Sequence, residues 1–183
     1  MSDNAAATLV IEPLDPEKHD RAAFSCGIGP VDNFLKKTAN KLSKADNLRV
    51  WVMTEDGKSI IGFYAINAHS IDFRDLPEKY ARNRPGHGSI PAAYISMIGR
   101  DRRHHGNGYG GVLLADCLTR IATVAEQIGT AMVVLDVLDC GDAERTKRRQ
   151  ELYAGYGFQP FPSSPMRMFL PVATIKMLAV PPG

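Results

Sequence analysis

The stretch RDRRHHGNGYGG, Arg100 to Gly111, places four glycines within six residues, directly behind a strongly basic run. A helical pattern, VLLADCLTRIATVAEQ, follows at once. Glycines allow several backbone N–H groups to turn toward one point, and the N-terminus of a helix adds a partial positive charge. The stretch therefore predicts a loop that cradles an anion, with the neighbouring arginines as further phosphate contacts.

The same glycines fit the dinucleotide pattern G-x-G-x-x-G through Gly106, Gly108 and Gly111, but the surrounding sequence does not fit it. In that motif the loop follows its strand directly, and several βα units come after it. Here six polar residues, 100–105, intervene, and only 72 residues remain. The triphosphate-binding loop requires Gly-Lys-Ser/Thr, which the sequence lacks. A glycine-rich turn without a ligand remains the alternative.

Composition limits the class of protein. The chain has 183 residues, 44% of them apolar, and a net charge of +2, which predicts a single domain over residues 1–183. Cys26, Cys117 and Cys140 form no CxxC, so we expect reduced thiols in a cytoplasmic protein, with no disulfide framework and no zinc site. We expect no membrane association, because no apolar run reaches the roughly 18 residues of a membrane helix.

Apolar periodicity predicts the order β-α-β-β-β-α-β-α-β, a mixed α/β sheet layered with helices. TLVIEPL predicts an edge strand, EDGK the turn of a β-hairpin, and IPAAYISMIG and AMVVLDV two buried strands. MRMFLPV predicts the last strand. The segment PVDNFLKKTANKL predicts a helix whose apolar face carries Val31, Phe34, Leu35 and Leu42.

Two further helices have recognisable ends. The helix after the glycines is expected to stop at Gly129. A charged helix is expected from about Ala143 to Ala154, with Asp142 as its cap and Gly155 as its terminator.

Arg103 to Gly110, RHHGNGYG, matches the Arg/Gln-x-x-Gly-x-Gly/Ala signature of the GCN5-related N-acetyltransferases, which the chain resembles over nearly its whole length. The resemblance implies a mixed, mostly antiparallel α/β sheet, splayed at the acetyl-coenzyme A site, with helices on both faces. It implies that the loop and helix start bind the pyrophosphate and that the strand AYISMIGR pairs with the pantetheine arm. The cofactor-binding residues carried over are Ile98, Gly99, Arg100, Arg103, His105, Gly106, Asn107, Gly108, Gly110 and Gly111.

Three more segments resemble the toxin-type acetyltransferases of toxin–antitoxin systems: FSCGIGPVDNFLKKTA, GFYAINAHSI and LYAGYGFQPFPSSPMRMFLPVATI. Such enzymes acetylate the α-amine of aminoacyl-tRNA, block translation, and pair with a ribbon-helix-helix antitoxin. The resemblance therefore implies acetyl-coenzyme A as co-substrate, no metal, an aminoacyl-tRNA substrate, an antitoxin partner and a cytoplasmic location. A homodimer is left open.

The resemblance assigns Tyr153 as the general acid that protonates the leaving thiolate. A core tyrosine is the alternative, and Tyr156 is assigned to the core. A backbone N–H near Ile98 or Gly99 would hold the developing oxyanion. No general base is evident, since Asp136 could equally cap a turn, and His69 is interpreted as a hydrogen-bonded strand residue.

Two features depart from the family pattern. Arg100 stands where a small or apolar residue is usual, so its side chain has no implied role. The spacing from Asp136 to Tyr153 is longer than usual, so the helix carrying the tyrosine could start differently.

A polyanionic tRNA requires basic residues outside the cofactor loop. We expect Lys36 and Lys37 on the first helix, and Arg148 and Arg149 on the charged helix, to supply them; a solvated helix face is the alternative. Two other functions remain open: acetylation of a small amine or a protein amine, and a non-catalytic module that binds coenzyme A.

Overall fold

The computed structural model describes residues 8–82 and 86–178, whose seven strands form one unclosed sheet in the order β1-β2-β3-β4-β5-β7-β6. The strands are β1 Val10–Pro13, β2 Arg49–Thr54, β3 Gly62–Asp72, β4 Ser89–Arg100, β5 Met132–Asp136, β6 Gln159–Phe161 and β7 Ser164–Pro171. The α-helices are α1 Gly29–Asn33, α2 Ala39–Lys44, α3 Glu78–Ala81, α4 Tyr109–Ala125, α5 Ala143–Gly155 and α6 Val172–Leu178.

The sheet is mixed, as the sequence predicts. β1 with β2, β2 with β3, β5 with β7, and β6 with β7 are antiparallel, whereas β4 and β5 are parallel. β1 lies at the sheet edge and β5 is buried between β4 and β7, so the expected edge strand and this central strand are confirmed. The parallel register runs from Ala92 opposite Met132 to Ile95 opposite Leu135, while β4 itself continues to Arg100.

The β2–β3 connection shows the turn chemistry behind the predicted hairpin. The Asp56 side chain accepts hydrogen bonds from the backbone N–H groups of Lys58 and Ser59. Gly57 has φ +74°, a conformation that glycine enters readily. These contacts hold the chain reversal and set the antiparallel register that follows.

The first helix differs from a regular α-helix. Between α1 and α2 the chain forms a π-helical segment, Phe34–Thr38. A π-turn contains more residues than an α-turn, so it changes which later side chains face the core. The next fully buried position is Ala39, and Leu42, expected on the apolar face, is only half-buried.

The C-terminal segment holds more structure than the single predicted strand. β6 and β7 form an antiparallel pair with an irregularity between Pro160 and Phe161, and α6 follows directly. Short edge strands tolerate proline, so β6 can contain Pro160.

The chain between Asp136 and Tyr153 forms a loop and then α5. The predicted cap of α5 is confirmed, because the Asp142 carboxylate accepts from the N–H groups of Glu144 and Arg145.

Backbone contacts divide the described chain into two compact units, and the single domain over 1–183 stays a prediction. The first unit comprises the described residues up to Ile66 together with Met97–Asp116, and the second comprises those of Asn67–Ser96 and those from Cys117 onward. Phe63 packs between Phe24 and Phe34 in the first unit. The core cluster of the second unit consists of Ile71, Leu76, Ile90, Ala92, Met132, Val134, Phe161 and Phe169.

In the part of the chain that the structure describes, no helix combines the length and apolar character needed to span a bilayer.

Candidate functional site

The glycine-rich stretch begins with a buried carboxylate, Asp101, which fixes the path of the chain out of β4. Its side chain is 1% exposed and accepts from the backbone N–H groups of Ser25, at 3.0 Å, and Arg103, at 2.9 Å. The Arg103 guanidinium adds two bonds of 2.9 Å, one to each carboxylate oxygen. Burial by itself raises the pKa of Asp101, but these hydrogen bonds outweigh it and lower that pKa to about 2. Asp101 is therefore a charged anchor for the loop at neutral pH.

Two arginines predicted to contact phosphate also build the loop. Arg103 donates from Nη2 to the carbonyl of Ala23 at 3.3 Å, besides its bonds to Asp101. Arg100 donates from Nη1 to the carbonyl of His104 at 3.3 Å, and its Nη2 lies 3.0 Å from Nδ1 of His105. These contacts give the Arg100 side chain a structural role. Binding of phosphate by Arg100, Arg103 and His105 stays a prediction.

The glycines present open backbone. Gly106 and Gly108 have φ +84° and +72°, in the left-handed region that favours glycine. A Cβ at Gly106, Gly108 or Gly110 would meet no atom within 4 Å. α4 begins at Tyr109, whose hydroxyl donates to Glu55 Oε1 at 2.6 Å. Left-handed backbone followed by a helix N-terminus forms a surface suited to an anion such as a diphosphate.

The remaining predicted cofactor residues lie in the glycine loop, at the start of α4 and on β4. Asn107 is exposed and Gly111 half-buried. On β4, Ile98 is half-buried and Gly99 is buried. A Cβ at Gly99 would lie 2.8 Å from the Val31 side chain and 3.5 Å from the Phe63 ring, so this position must be small for packing. That requirement gives Gly99 a structural role whether or not its backbone meets a cofactor.

Tyr153 lies in the second unit, in the last turn of α5. Its side chain is 4% exposed and packs edge-on against Phe158 with ring centroids 6.0 Å apart.

The α5 helix ends in a Schellman motif, because Phe158 N–H donates to the Tyr153 carbonyl and Gly157 N–H donates to the Ala154 carbonyl. Gly157, at φ +98°, provides this ending, so the expected terminator Gly155 is wrong. Tyr156, assigned to the core, is half-buried.

A polar cluster in the second unit joins four neighbouring strands. Arg167 of β7 donates to both carboxylate oxygens of Asp136 of β5, at 2.8 and 3.0 Å. The hydroxyl of Tyr94 of β4 donates to the same carboxylate at 2.6 Å. The ring of His69 of β3 lies 5.2 Å from that of Tyr94, measured between centroids. We call these residues the His69–Tyr94–Asp136–Arg167 cluster.

The charges of this cluster are coupled. The hydrogen bonds that Arg167 donates to Asp136 lower the pKa of Asp136, and the same bonds raise the pKa of Arg167. Burial, with Asp136 adding to it, raises the pKa of Tyr94 to about 12. Burial also lowers the pKa of His69, reinforced by Arg167 and opposed by Asp136. Asp136 is therefore held as a paired anion, Tyr94 stays protonated, and His69 is neutral at pH 7.

Sequence reasoning did not find this cluster. Asp136 and Arg167 are directly opposite in the β5–β7 register, which sequence does not give. His69 lies inside β3 rather than at a strand end. Among the described residues its ring makes no hydrogen bond to the protein, contrary to its interpretation as a hydrogen-bonded strand residue.

The basic residues expected to bind a polyanion lie on two elements. Lys36 and Lys37 occupy the π-helical segment, where Lys36 is half-buried and Lys37 exposed. Arg148 and Arg149 lie on α5, the helix that also carries Tyr153. No group of three or more His, Cys, Asp or Glu side chains in the described ranges is arranged to hold a metal ion.

No family model matches the sequence. A protein of Sinorhizobium fredii (strain NBRC 101917 / NGR234) named "Probable toxin TacT" is 70% identical over 179 residues, which cover 97% of this chain and 99% of that protein. A "tRNA-acetylating toxin" of Mycobacterium tuberculosis (strain ATCC 25618 / H37Rv) is 29% identical over 151 residues, 82% of this chain and 85% of that protein.

Solved structures share the fold. AtaT complexed with acetyl-methionyl-tRNAfMet superposes with a TM-score of 0.83 at 20% identity, covering 94% of this chain and 100% of that one. A tyrosine-to-phenylalanine mutant of the toxin AtaT, bound to the C-terminus of the antitoxin AtaR and to acetyl-CoA, gives 0.77 at 18% identity, covering 94% and 99%.

Proposed function

Because this chain belongs to the toxin-type GCN5-related N-acetyltransferases, we propose that it transfers the acetyl group of acetyl-coenzyme A to the α-amine of aminoacyl-tRNA and so blocks translation. The observation that carries the proposal is the 70% identity, over 97% of the chain, to a protein named probable toxin TacT. The tRNA-acetylating toxin of M. tuberculosis and the complex of AtaT with acetyl-methionyl-tRNAfMet support the substrate class.

The glycine loop is the part of the chain that would hold the pyrophosphate. The backbone of Gly106 and Gly108 is unobstructed just before α4 begins, and a hydrogen bond to the buried Asp101 carboxylate anchors the loop. Bound acetyl-coenzyme A supplies an activated acetyl thioester. Arg103 is bound to the buried Asp101 yet 58% exposed, so its outer face can still meet a phosphate.

Tyr153 is the residue proposed to protonate the departing thiolate. The Schellman motif and the contact with Phe158 fix the position of its ring at the end of α5. A phenol held in this way can donate a proton without a change of fold. A backbone N–H near Ile98 or Gly99 is proposed to hold the oxygen of the reacting carbonyl.

The proposed surroundings follow from the substrate. Lys36, Lys37, Arg148 and Arg149 would meet tRNA phosphates, and a cytoplasmic location would give access to charged tRNA. The complex of AtaT with the antitoxin AtaR supports an antitoxin partner for this chain, which we propose to be a ribbon-helix-helix protein.

The function is tested by incubating the chain with labelled acetyl-coenzyme A and total charged tRNA. Label should appear on N-acetyl-aminoacyl-tRNA, and deacylated tRNA, with no α-amine, should receive none. If label appears only on free small amines or on protein amines, the chain is still an acetyltransferase, but tRNA is not its substrate. Tight binding of acetyl-coenzyme A without transfer to any amine would identify a binding module instead.

A further inference from the structure

The proposed reaction requires a group that accepts a proton from the attacking amine, and the His69–Tyr94–Asp136–Arg167 cluster contains a candidate. The attacking nitrogen of an aminoacyl ester is mostly protonated at or below neutral pH, since α-amino groups titrate near 8. A proton must therefore leave it before it attacks. Tyr153 gives a proton and cannot take this one at the same time. Another group must accept it.

His69 has the properties that an acceptor requires. Its ring is half-buried and lies against Tyr94, and within the described residues neither ring nitrogen is hydrogen-bonded to protein. A partly buried imidazole with open nitrogens can accept a proton from a ligand. Asp136 and Tyr94 are poorer candidates, because Asp136 already accepts from Arg167 and Tyr94, and the Tyr94 hydroxyl is itself a donor.

The place of the cluster in the sheet favours a ligand. The parallel register of β4 with β5 ends at Ile95 and Leu135, directly next to Tyr94 and Asp136. In open α/β sheets, ligands bind at the carboxyl ends of parallel strands.

We propose that His69 is a catalytic residue, the general base that takes the proton of the acceptor amine; this rests on the proposed function. The α-ammonium N–H bond breaks and its proton passes to a ring nitrogen of His69. The freed lone pair forms the N–C bond to the acetyl carbon, the C–S bond breaks, and the thiolate takes a proton from Tyr153. The nitrogen then loses its second proton through water to the Tyr153 phenolate, which leaves a neutral amide. His69 releases its proton to solvent, so each turnover sets one proton free.

The groups facing His69 suit this role. Tyr94 covers one side of its ring, and Arg167 and Asp136 are the charged groups that act on it. Burial, reinforced by Arg167, lowers the pKa of His69, which favours the neutral ring that can accept a proton. Asp136 opposes this effect and stabilises the imidazolium once the proton arrives.

The experiment measures turnover on charged tRNA from about pH 6 to about pH 8 for the wild-type chain, His69→Gln and His69→Ala. We expect wild-type turnover to hold at the acid end. His69→Gln should lose roughly 10²-fold at about pH 6 and recover as the free amine increases. Added imidazole should restore part of the activity of His69→Ala, and acetyl-coenzyme A affinity should stay unchanged. His87→Gln, which replaces an exposed histidine of the 86–88 loop, is the matched control and should behave as wild type.

The outcomes separate the two proposals. If the wild type transfers no acetyl group to charged tRNA, the proposed function fails and this inference fails with it. If the wild type is active and His69→Gln is equally active, only the inference is overturned. If turnover is lost and neither higher pH nor imidazole restores it, His69 has only a packing role and the inference is overturned. Should both variants fail to fold, a wild-type rate that falls tenfold per pH unit below about pH 8 still overturns the role.

Discussion

Tyr153 has a buried ring that packs in the fold and a hydroxyl that we propose as the proton donor. One substitution tests these two roles separately. Tyr153→Phe keeps the packing on Phe158 and the helix ending, so the fold and acetyl-coenzyme A affinity should be preserved. Turnover should fall by roughly 10²-fold, because the thiolate loses its proton donor. Steady-state kinetics and calorimetry measure the two quantities.

The matched control is Tyr156→Phe, which removes a hydroxyl three residues along the same chain, from a half-buried ring. It should leave turnover within about threefold of wild type. Full activity of Tyr153→Phe would make Tyr153 a core residue and require another proton donor.

Asp101 lets the anchoring of the loop be measured as stability. Because its folded-state pKa is lowered to about 2, below the unfolded value of about 4, its contribution is complete above about pH 4 and is lost as pH falls toward about 2. Asp101→Asn should lower the free energy of unfolding at pH 7 by about 2 kcal/mol, since the buried site loses charged hydrogen bonds. The difference from wild type should shrink across that acid window.

Denaturant titrations at several pH values test this expectation. Asp46→Asn is the control, since Asp46 pairs with Arg49 at an exposed site and already has a left-handed φ of 58° that asparagine tolerates. It should change stability little. A pH-independent deficit in Asp101→Asn would show that charge is not what holds the loop.

Among the elements, the glycine loop offers the most direct test of cofactor binding. Gly108→Glu adds a side chain and a negative charge to the open face of the loop, so acetyl-coenzyme A binding should be abolished. Gly57→Glu is the matched control, because Gly57 has a similar φ of +74° but lies in the β2–β3 turn. Calorimetry should show near wild-type affinity for the control and none for Gly108→Glu, and equal affinities would remove the loop from the site.

Sequence predicted those elements whose signals are local. The glycines, the basic run and the start of α4 are contiguous, so one window of sequence contains the whole loop. Asp142 was recognised as a cap for the same reason. The terminating glycine of α5 was misplaced by two residues, at Gly155 instead of Gly157. A Schellman motif depends on the positive φ of Gly157 and on the packing of Phe158 against Tyr153, and the sequence shows neither.

Features that depend on pairing between distant segments were not predictable. The His69–Tyr94–Asp136–Arg167 cluster draws one residue from each of four strands, and its members meet only through the β-sheet registers. The π-helical segment Phe34–Thr38 has the composition of an ordinary helix, so the sequence gives no sign of its wider turn. The assignment of Arg103 to phosphate alone missed Asp101, since an aspartate in a basic run gives no sign that it is buried.

For the whole molecule, the proposed substrate implies strong dependence on salt. The net charge is only +2, so tRNA binding must rely on local basic residues. If several phosphates are contacted, affinity for charged tRNA should fall by orders of magnitude between about 50 and about 200 mM salt. Reversing the charges of Lys36 and Lys37, or of Arg148 and Arg149, should weaken tRNA binding and flatten the slope, with acetyl-coenzyme A binding spared.

Filter binding over a salt series measures the slope for each pair separately. Reversal at Lys58 and Lys79, two exposed lysines outside both sets, is the control and should leave the slope intact. A slope near zero for the wild type would remove the polyanion from the proposed function.

The left-handed glycines of the loop also have a genetic consequence. A gene whose product stops growth is under selection for mutations that silence it. A single base change in a glycine codon yields alanine, serine, cysteine, valine, arginine, aspartate, glutamate, tryptophan or a stop. Each replacement at Gly106 or Gly108 either resists the positive φ or adds a negative charge to the anion-binding surface. Asparagine, which tolerates that φ without a charge, requires two changes. These two codons should therefore recur among cells that escape the toxin.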